Sequence, residues 1–446
     1  MVRLERIRRF GFAGREFDPA TGHLRLRYRL DDGERTLELV ETFDFGPGDR
    51  LGNFPGVALD AALDLLHWIA GVSYWKLACR GRVEFGDRRP TSRQASALET
   101  VYREGLAELA WRNGIGRRYW PDFASCTAGP DAPPAGPAGL ARRALVPMGG
   151  GKDSLVALER VRAAGIGVET VQVGSAALIG RVAARTGLPH WIVRRRLAPE
   201  LAGLNERSGA INGHVPITAI NAAALVVAAL LWDFDAVVFA NERSADTPTL
   251  VAADGREINH QFSKSRRFEE LFAGWVRHAV ASDLDVFSIL RGDRELAVCR
   301  EFAGLERYHD VFSSCNRNFH LAGPRTGRWC CDCPKCRFVF LALAPFMDPE
   351  SLRRVFGRDL LAEPGQESRF AELLELDGPR PFECVGEAGE ARAAVSLLAG
   401  DPRWRDRPVV RALEARLAGH EVPAPESLLA AGSAERIPER FTRASG

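Results

Sequence analysis

The chain has 446 residues, enough for two or three domains at about 150 residues each. Apolar residues make up 46% and charged residues 26%, a soluble globular composition, and nine cysteines are too few for a disulfide-built scaffold. With 60 basic and 58 acidic residues no overall field exists to hold nucleic acid or a membrane surface.

The first ten residues hold four arginines but no apolar stretch follows, so they do not read as a secretory signal. The longest central run without a polar residue, 222–232, is eleven residues, against about 20 for a membrane span. The expected location is the cytoplasm. Residues 23–30 alternate Leu24, Leu26, Tyr28 and Leu30 with polar neighbours, and 36–45 continue in that style after the Asp32-Gly33 turn. That pattern predicts a hairpin. Residues 57–70 and 94–111 read as amphipathic helices. The stretch 127–140, with four Pro and three Gly, reads as a linker or long surface loop. From Arg143 short apolar strands (144–148, 168–173, 190–193, 236–240) alternate with helices after Asp153, after Ser175 and over 217–232. Such alternation predicts an α/β fold, a doubly wound, mostly parallel sheet with ligands bound at the C-terminal strand ends. The resulting division is an N-terminal α+β domain (1–125), a Pro/Gly-rich linker (126–142), an α/β domain (143–348) and a C-terminal helical appendage (349–446). Residues 442–446 are expected to be disordered.

The sharpest local feature is the passage from a strand through Gly149, Gly150 and Gly151 into a helix that begins Lys152-Asp153-Ser154. Glycines let the backbone approach a ligand without a Cβ clash, and the N–H groups that open the helix face an anion. Lys152 adds a point charge, Asp153 is a ligand for Mg2+, and Ser154 offers a hydroxyl. Val146 and Asp153 stand where a Walker A loop needs Gly and Ser/Thr. The loop resembles instead the Ser-Gly-Gly-x-Asp-Ser motif of the PP-loop ATP pyrophosphatases, with Gly149 replacing the leading Ser. That resemblance implies cleavage of ATP between its α and β phosphates, adenylation of a substrate oxygen, and an adenine site beside Val173 and Gly174.

Cys330, Cys333 and Cys336 are spaced C-x2-C-x2-C, with Cys315 fifteen residues upstream. Four thiolates so spaced suit tetrahedral zinc, and a full thiolate shell makes such a zinc structural. Cys331 is left over and is an alternative ligand to Cys330. A reduced cluster packed as small hydrophobes is the competing reading. A similar four-cysteine zinc site occurs in the PP-loop enzyme that makes 7-cyano-7-deazaguanine.

Polar islands stand at predicted strand ends and helix starts: Asn212-Gly-His214, Asn241-Glu242-Arg243 and Asn259-His260-Gln261-Phe-Ser-Lys264. Each alone is as well explained by caps and loops. Together they favour a crevice, with His214, His260 and Lys264 as candidates for proton transfer. Lys264 is also one of only four lysines, with Lys76, Lys152 and Lys335. Arginine offers a wide fork that keeps its proton, so lysines retained in an arginine-rich chain mark places that need a compact charge. Gly71–Lys76 is read as core at Tyr74 and Trp75 or as a reach into the same crevice.

Taken together, 69–76, 149–154, 240–245, 259–265 and 330–338 resemble the MurL family, from near the N-terminus to at least Asp348. The resemblance implies an ATP-dependent epimerase of peptidoglycan precursor synthesis, inverting the terminal L-Glu of UDP-MurNAc-L-Ala-L-Glu with release of AMP and pyrophosphate. Adenylating that carboxylate removes its charge and turns the carbonyl into an electron sink, so the α-proton can be taken and returned. It implies His260 with Lys264, or His214 opposite them, as acid and base, with Cys315 or Cys331 as thiol alternatives, and Asn241, Glu242, Arg243 and Asn259 as substrate-binding residues. The partner is a sugar-nucleotide dipeptide, with no obligate protein partner, nucleic acid or membrane. An RNA-modifying enzyme would show a basic face. An amidotransferase with an N-terminal nucleophile needs Cys where Val2 stands. An adenylating ligase and a zinc-stabilised nucleotide-binding regulator are the remaining alternatives.

Overall fold

The computed structural model describes residues 2–47, 56–116, 120–129, 131, 133–319 and 327–442. The tail 443–446 lies outside the described residues, as do Pro130 and Ala132 of the Pro/Gly-rich stretch.

Strands β1 (Arg9–Asp18), β2 (His23–Asp31) and β3 (Thr36–Asp44) form an antiparallel meander, and β4 (Arg82–Phe85) pairs parallel with β1. The alternation predicted for β2 is real: Leu24, Leu26, Tyr28 and Leu30 are buried. Asp32 Oδ1 accepts from the N–H groups of Glu34 and Arg35 and closes the turn into β3. Strands β5 (Ala144–Pro147), β6 (Val168–Val173), β7 (His190–Arg196) and β8 (Ala236–Phe239) follow, then a small hairpin of β9 (Leu250–Val251) and β10 (Glu257–Ile258), then β11 (Asp285–Ser288). The large sheet has nine strands in the order β11-β8-β5-β6-β7-β3-β2-β1-β4, and its β11-to-β7 half is entirely parallel.

The two halves join where β7 runs antiparallel to β3, Thr42 opposite Arg196 and Asp44 opposite Arg194. This is why β7 continues past the apolar residues that predicted it. Its Arg194-Arg195-Arg196 run meets an acidic strand, and Arg195 pairs with the fully buried Glu41. The expected helix over 94–111 is two helices, Ser92–Gly105 and Ala107–Arg112. The break falls where the chain packs on Pro216, whose Cγ would lie 2.7 Å from a Cβ at residue 105.

The helix Ile217–Trp232 is apolar on every face and is packed between the sheet and the helix Gly56–Ala70. The helical run Gly56–Trp75 is long and apolar enough to span a membrane, yet 78% of its most apolar window is buried inside the fold. Tyr74 and Trp75 are core, and Lys76 donates to Asn205 Oδ1 (2.6 Å) and Asn212 Oδ1 (2.7 Å). Beyond Pro349 the chain is helical, as expected, and it shares a core with β5, β8 and the helix Pro334–Leu343.

One feature of the topology positions the site. From β5 the chain steps outward through β6 and β7, then crosses to β8 on the other side of β5. The order of the strands reverses there, and the loops leaving β5 and β8 diverge to leave a crevice at their C-terminal ends.

Candidate active site at the strand-order reversal

The loop after β5 takes the turn that its glycines permit. Gly150 has φ +81°, and the Gly150 carbonyl accepts from the Ser313 N–H at 2.9 Å. A Cβ on Gly151 would sit 2.6 Å from Ser314 Oγ, whereas nothing lies within 4 Å of one on Gly149. The glycines therefore serve two purposes, admitting segment 313–314 on one side and leaving the other side open. Ser154 Oγ donates to the Gly151 carbonyl at 3.0 Å, within the first turn of the helix Lys152–Ala163.

Lys152 is fully buried and its Nζ binds Asp153 and, at 2.8 Å, Glu295 Oε1. Burial opposes its charge, but the carboxylates of Asp153 and Glu295 keep it protonated far above the ordinary range. Asp153 lines a narrow cleft with Asn241, Glu242, Lys264, Glu295, Lys335 and Cys384 among its walls. Burial raises the Asp153 pKa, but Lys152, Lys335 and Lys264 outweigh it and hold the carboxyl below the usual range. Glu242 is the opposite case. Burial, then the charges of Glu295 and Glu390, push its pKa up to about 8 while it accepts from Ser244 N (2.6 Å) and Oγ (2.5 Å).

His214 and His260 pack at a tilt with ring centroids 4.2 Å apart. Burial and the neighbouring His260 bring His214 down to about 4, so it is neutral at pH 7. His260 Nδ1 lies 2.5 Å from Glu108 Oε2. Burial works against its charge, but hydrogen bonds to Cys384 and Glu108 raise it to about 9. The two imidazoles are thus set in opposite protonation states by their partners. Lys264 Nζ lies 3.2 Å from Cys384 Sγ. Against the effect of burial, Lys264 and His260 draw the Cys384 thiol down to about 5, which makes it a thiolate.

Cys384 was not among the thiols that the sequence singles out. It sits in Phe382-Glu-Cys-Val385, within a region that reads only as helix broken by proline, and its sole signal is being a cysteine outside the 315–336 cluster. Cys315 and Cys331 do not line this cleft. Of the other expected residues, Asn241 and Glu242 reach the cleft wall, while Arg243 lines a separate groove with Arg266, Arg291, Arg294 and Arg436. Asn259 ties two loops together, donating to the Ala245 carbonyl (2.8 Å) and accepting from Gln261 N (2.7 Å). At the end of β6, Gly174 N–H donates to Val193 O (2.8 Å) and its carbonyl accepts from Gln172 Nε2 (2.9 Å).

The sulfurs of Cys315, Cys330, Cys333 and Cys336 all lie within 4.8 Å of one another, with Cys330 and Cys336 3.7 Å apart. Tetrahedral zinc with Zn–S bonds of about 2.3 Å needs sulfurs about 3.8 Å apart, so the four thiols fit the ion. Cys331 has φ +56° and turns its Sγ away toward the Phe356 carbonyl at 3.3 Å, so Cys330 and not Cys331 belongs to the four-thiol group. Cys333 also caps the helix Pro334–Leu343 through Cys336 N.

Comparison with known proteins covers most of the chain. Residues 1–289 match the MurL N-terminal domain and residues 311–427 the MurL C-terminal domain. A protein of Xanthomonas oryzae pv. oryzae, named UDP-N-acetyl-alpha-D-muramoyl-L-alanyl-L-glutamate epimerase, is 46% identical over 411 residues, 91% of this chain and 89% of that protein. Proteins of the same name from Salinispora tropica and Micromonospora sp. are 45% and 44% identical, each over 92% of this chain and over 89% and 91% of their own lengths. A match of that extent and identity, running through the glycine loop, the histidine pair and the cysteine cluster, makes this chain a member of the MurL family.

Proposed function

We propose that this protein epimerises the terminal glutamate of UDP-MurNAc-L-Ala-L-Glu, consuming ATP as a second substrate and releasing AMP and pyrophosphate. The observation that carries the reading is the convergence of Asp153 just after the glycine loop, Asn241 and Glu242 after β8, and Gln261 and Lys264 on one cleft. Within this reading the parallel half of the sheet is a PP-loop ATP pyrophosphatase fold, and the divisions 1–125, 126–142, 143–348 and 349–446 are its functional parts. The open face of Gly149 and the first N–H groups of the helix Lys152–Ala163 receive the phosphates. Val173 and Gly174 flank the adenine, and Asn241, Glu242, Arg243 and Asn259 hold or shape the sugar-nucleotide side.

Asp153 and Glu295 set hard carboxylate oxygens on the cleft wall, the donor type that magnesium takes. When bound, magnesium neutralises phosphate charge as pyrophosphate leaves. Lys152, buried between Asp153 and Glu295, fixes the direction of Asp153 and balances the carboxylates beneath the loop. Proton transfer at Cα falls to the neutral imidazole of His214 as acceptor and to the cations of His260 and Lys264 as donors. Zinc at Cys315, Cys330, Cys333 and Cys336 is structural in this reading, because four thiolates leave no open coordination position.

The test is incubation with ATP, magnesium and UDP-MurNAc-L-Ala-L-Glu in deuterated water, followed by mass spectrometry and chiral analysis of the glutamate. The expected products are AMP, pyrophosphate and D-Glu with one deuteron at Cα. AMP without inversion or deuterium would identify an adenylating ligase lacking its acceptor.

A further inference from the structure

Cys384, His260 and Glu108 lie together. The His260 side chain hydrogen-bonds Cys384 and, through Nδ1, Glu108 Oε2 at 2.5 Å. A nucleophile, a base and a carboxylate that orients the base is the arrangement that acyl transfer uses on unrelated folds. Lys264 adds a second cation 3.2 Å from the sulfur, and Cys384 faces the same cleft as Asp153 of the glycine loop.

The segment is held firmly. Arg380 donates to the Gly386 carbonyl (2.7 Å) and to Pro248 O (3.1 Å), and Gln261 Nε2 donates to Val385 O at 3.4 Å. A Cβ on Gly386 would lie 2.4 Å from Phe338 Cζ, so the backbone beside Cys384 is pressed onto the helix that the cysteine cluster caps.

We propose that Cys384 takes the activated glutamyl group from AMP as a thioester and that epimerisation occurs on that thioester, an inference that rests on the epimerase reading above. The Sγ electron pair attacks the acyl-adenylate carbonyl carbon, the bond from that carbon to the phosphate oxygen breaks, and AMP leaves with the electron pair. No proton moves in this step, because the thiol proton already resides on the His260–Glu108 side. Sulfur donates poorly into a carbonyl, so a thioester acidifies Cα–H while it retains the acyl group in the cleft.

Acylation has a second effect. It removes the negative charge that holds the protons of Lys264 and His260, and both become better acids. The α-proton passes to the His214 imidazole and its electron pair moves onto the thioester oxygen. The pair then returns to Cα as a proton arrives from Lys264 on the opposite face. Water attacks the carbonyl and gives one proton to the now neutral Lys264, the thiolate departs, and the new carboxyl and His214 each release a proton to solvent.

The experiment is acid quenching of the full-length protein at times from milliseconds to steady state, with ATP, magnesium and the UDP-muramoyl dipeptide present. Intact mass and peptide mapping then follow. The wild type should carry the substrate mass less one water on Cys384. C384A should lose the adduct and lower inversion and deuterium uptake at least about a thousandfold, while ATP–pyrophosphate exchange persists. C384S, which preserves the shape of the site, should stall as an oxygen ester or show the same loss. Inversion by C384A, or an exchanging and inverting wild type with no adduct at any time, would overturn the thioester and leave the epimerase reading standing. A wild type that exchanges no pyrophosphate would overturn both.

Discussion

Three of the four lysines in the chain, Lys152, Lys264 and Lys335, act on one carboxylate, Asp153. Each is in a place that suits a compact ammonium, most clearly Lys152, which is enclosed between Asp153 and Glu295 with no exposed surface. Removing its charge leaves Glu295 buried without a partner beside Glu242 and Glu390. Lys152→Met should therefore lower unfolding free energy by about 3–5 kcal/mol in urea titrations at pH 8. Both proteins should gain stability toward pH 6. Glu242 and Glu390 have pKa values raised to about 8 and about 7, so over that window the folded state binds protons that the unfolded chain does not, and acid favours it. Cys384 shifts the other way. Its alkylation by iodoacetamide, followed on the peptide containing it, should show a midpoint near 5 instead of 9.0 and stop as the pH falls below it. Lys264→Met should move that midpoint upward by about one pH unit, because the cation that lowers it most is gone.

At the scale of elements, the loop between β5 and the helix Lys152–Ala163 is closed from above by segment 313–315. Ser313 N–H donates to the Gly150 carbonyl, Ser313 Oγ accepts from Cys315 N (3.1 Å) and donates to Arg328 O (2.6 Å), and Ser314 lies against Gly151. Gly151→Ala must displace Ser314 and with it the segment. It should raise the KM for ATP about tenfold, corresponding to about 1.4 kcal/mol, and leave the KM for the sugar nucleotide nearly unchanged in steady-state kinetics. Gly150→Ala should cost stability as well, since φ +81° strains any residue with a Cβ.

For the molecule as a whole, the cysteine cluster connects the segment that closes the glycine loop to the helix that supports Cys384. Cys315 belongs to the first, and Cys333 and Cys336 begin the second. Zinc content should be one ion per chain by plasma mass spectrometry. Cys333→Ser, or chelation, should lower the melting temperature and at the same time raise the KM for ATP, because both supports of the cleft loosen together. A melting shift with unchanged ATP kinetics would mean that the metal stabilises the fold without bracing the site.

The glycine loop, the strand–helix alternation after Arg143, the hairpin of β2 and β3 and the C-x2-C-x2-C spacing are local patterns, set by backbone sterics, side-chain periodicity and ligand reach, and a linear reading suffices for them. The joining of β7 to β3 was not legible, because it depends on an arginine run meeting an acidic strand about 150 residues away in sequence. Nor was the role of Cys384. No motif surrounds it, and its thiolate character comes from Lys264 and His260, each some 120 residues upstream. Residue type and spacing thus determined which groups are available for chemistry. Only the tertiary structure decided which of them meet, since charge state at a buried site depends on what faces the group across the cleft.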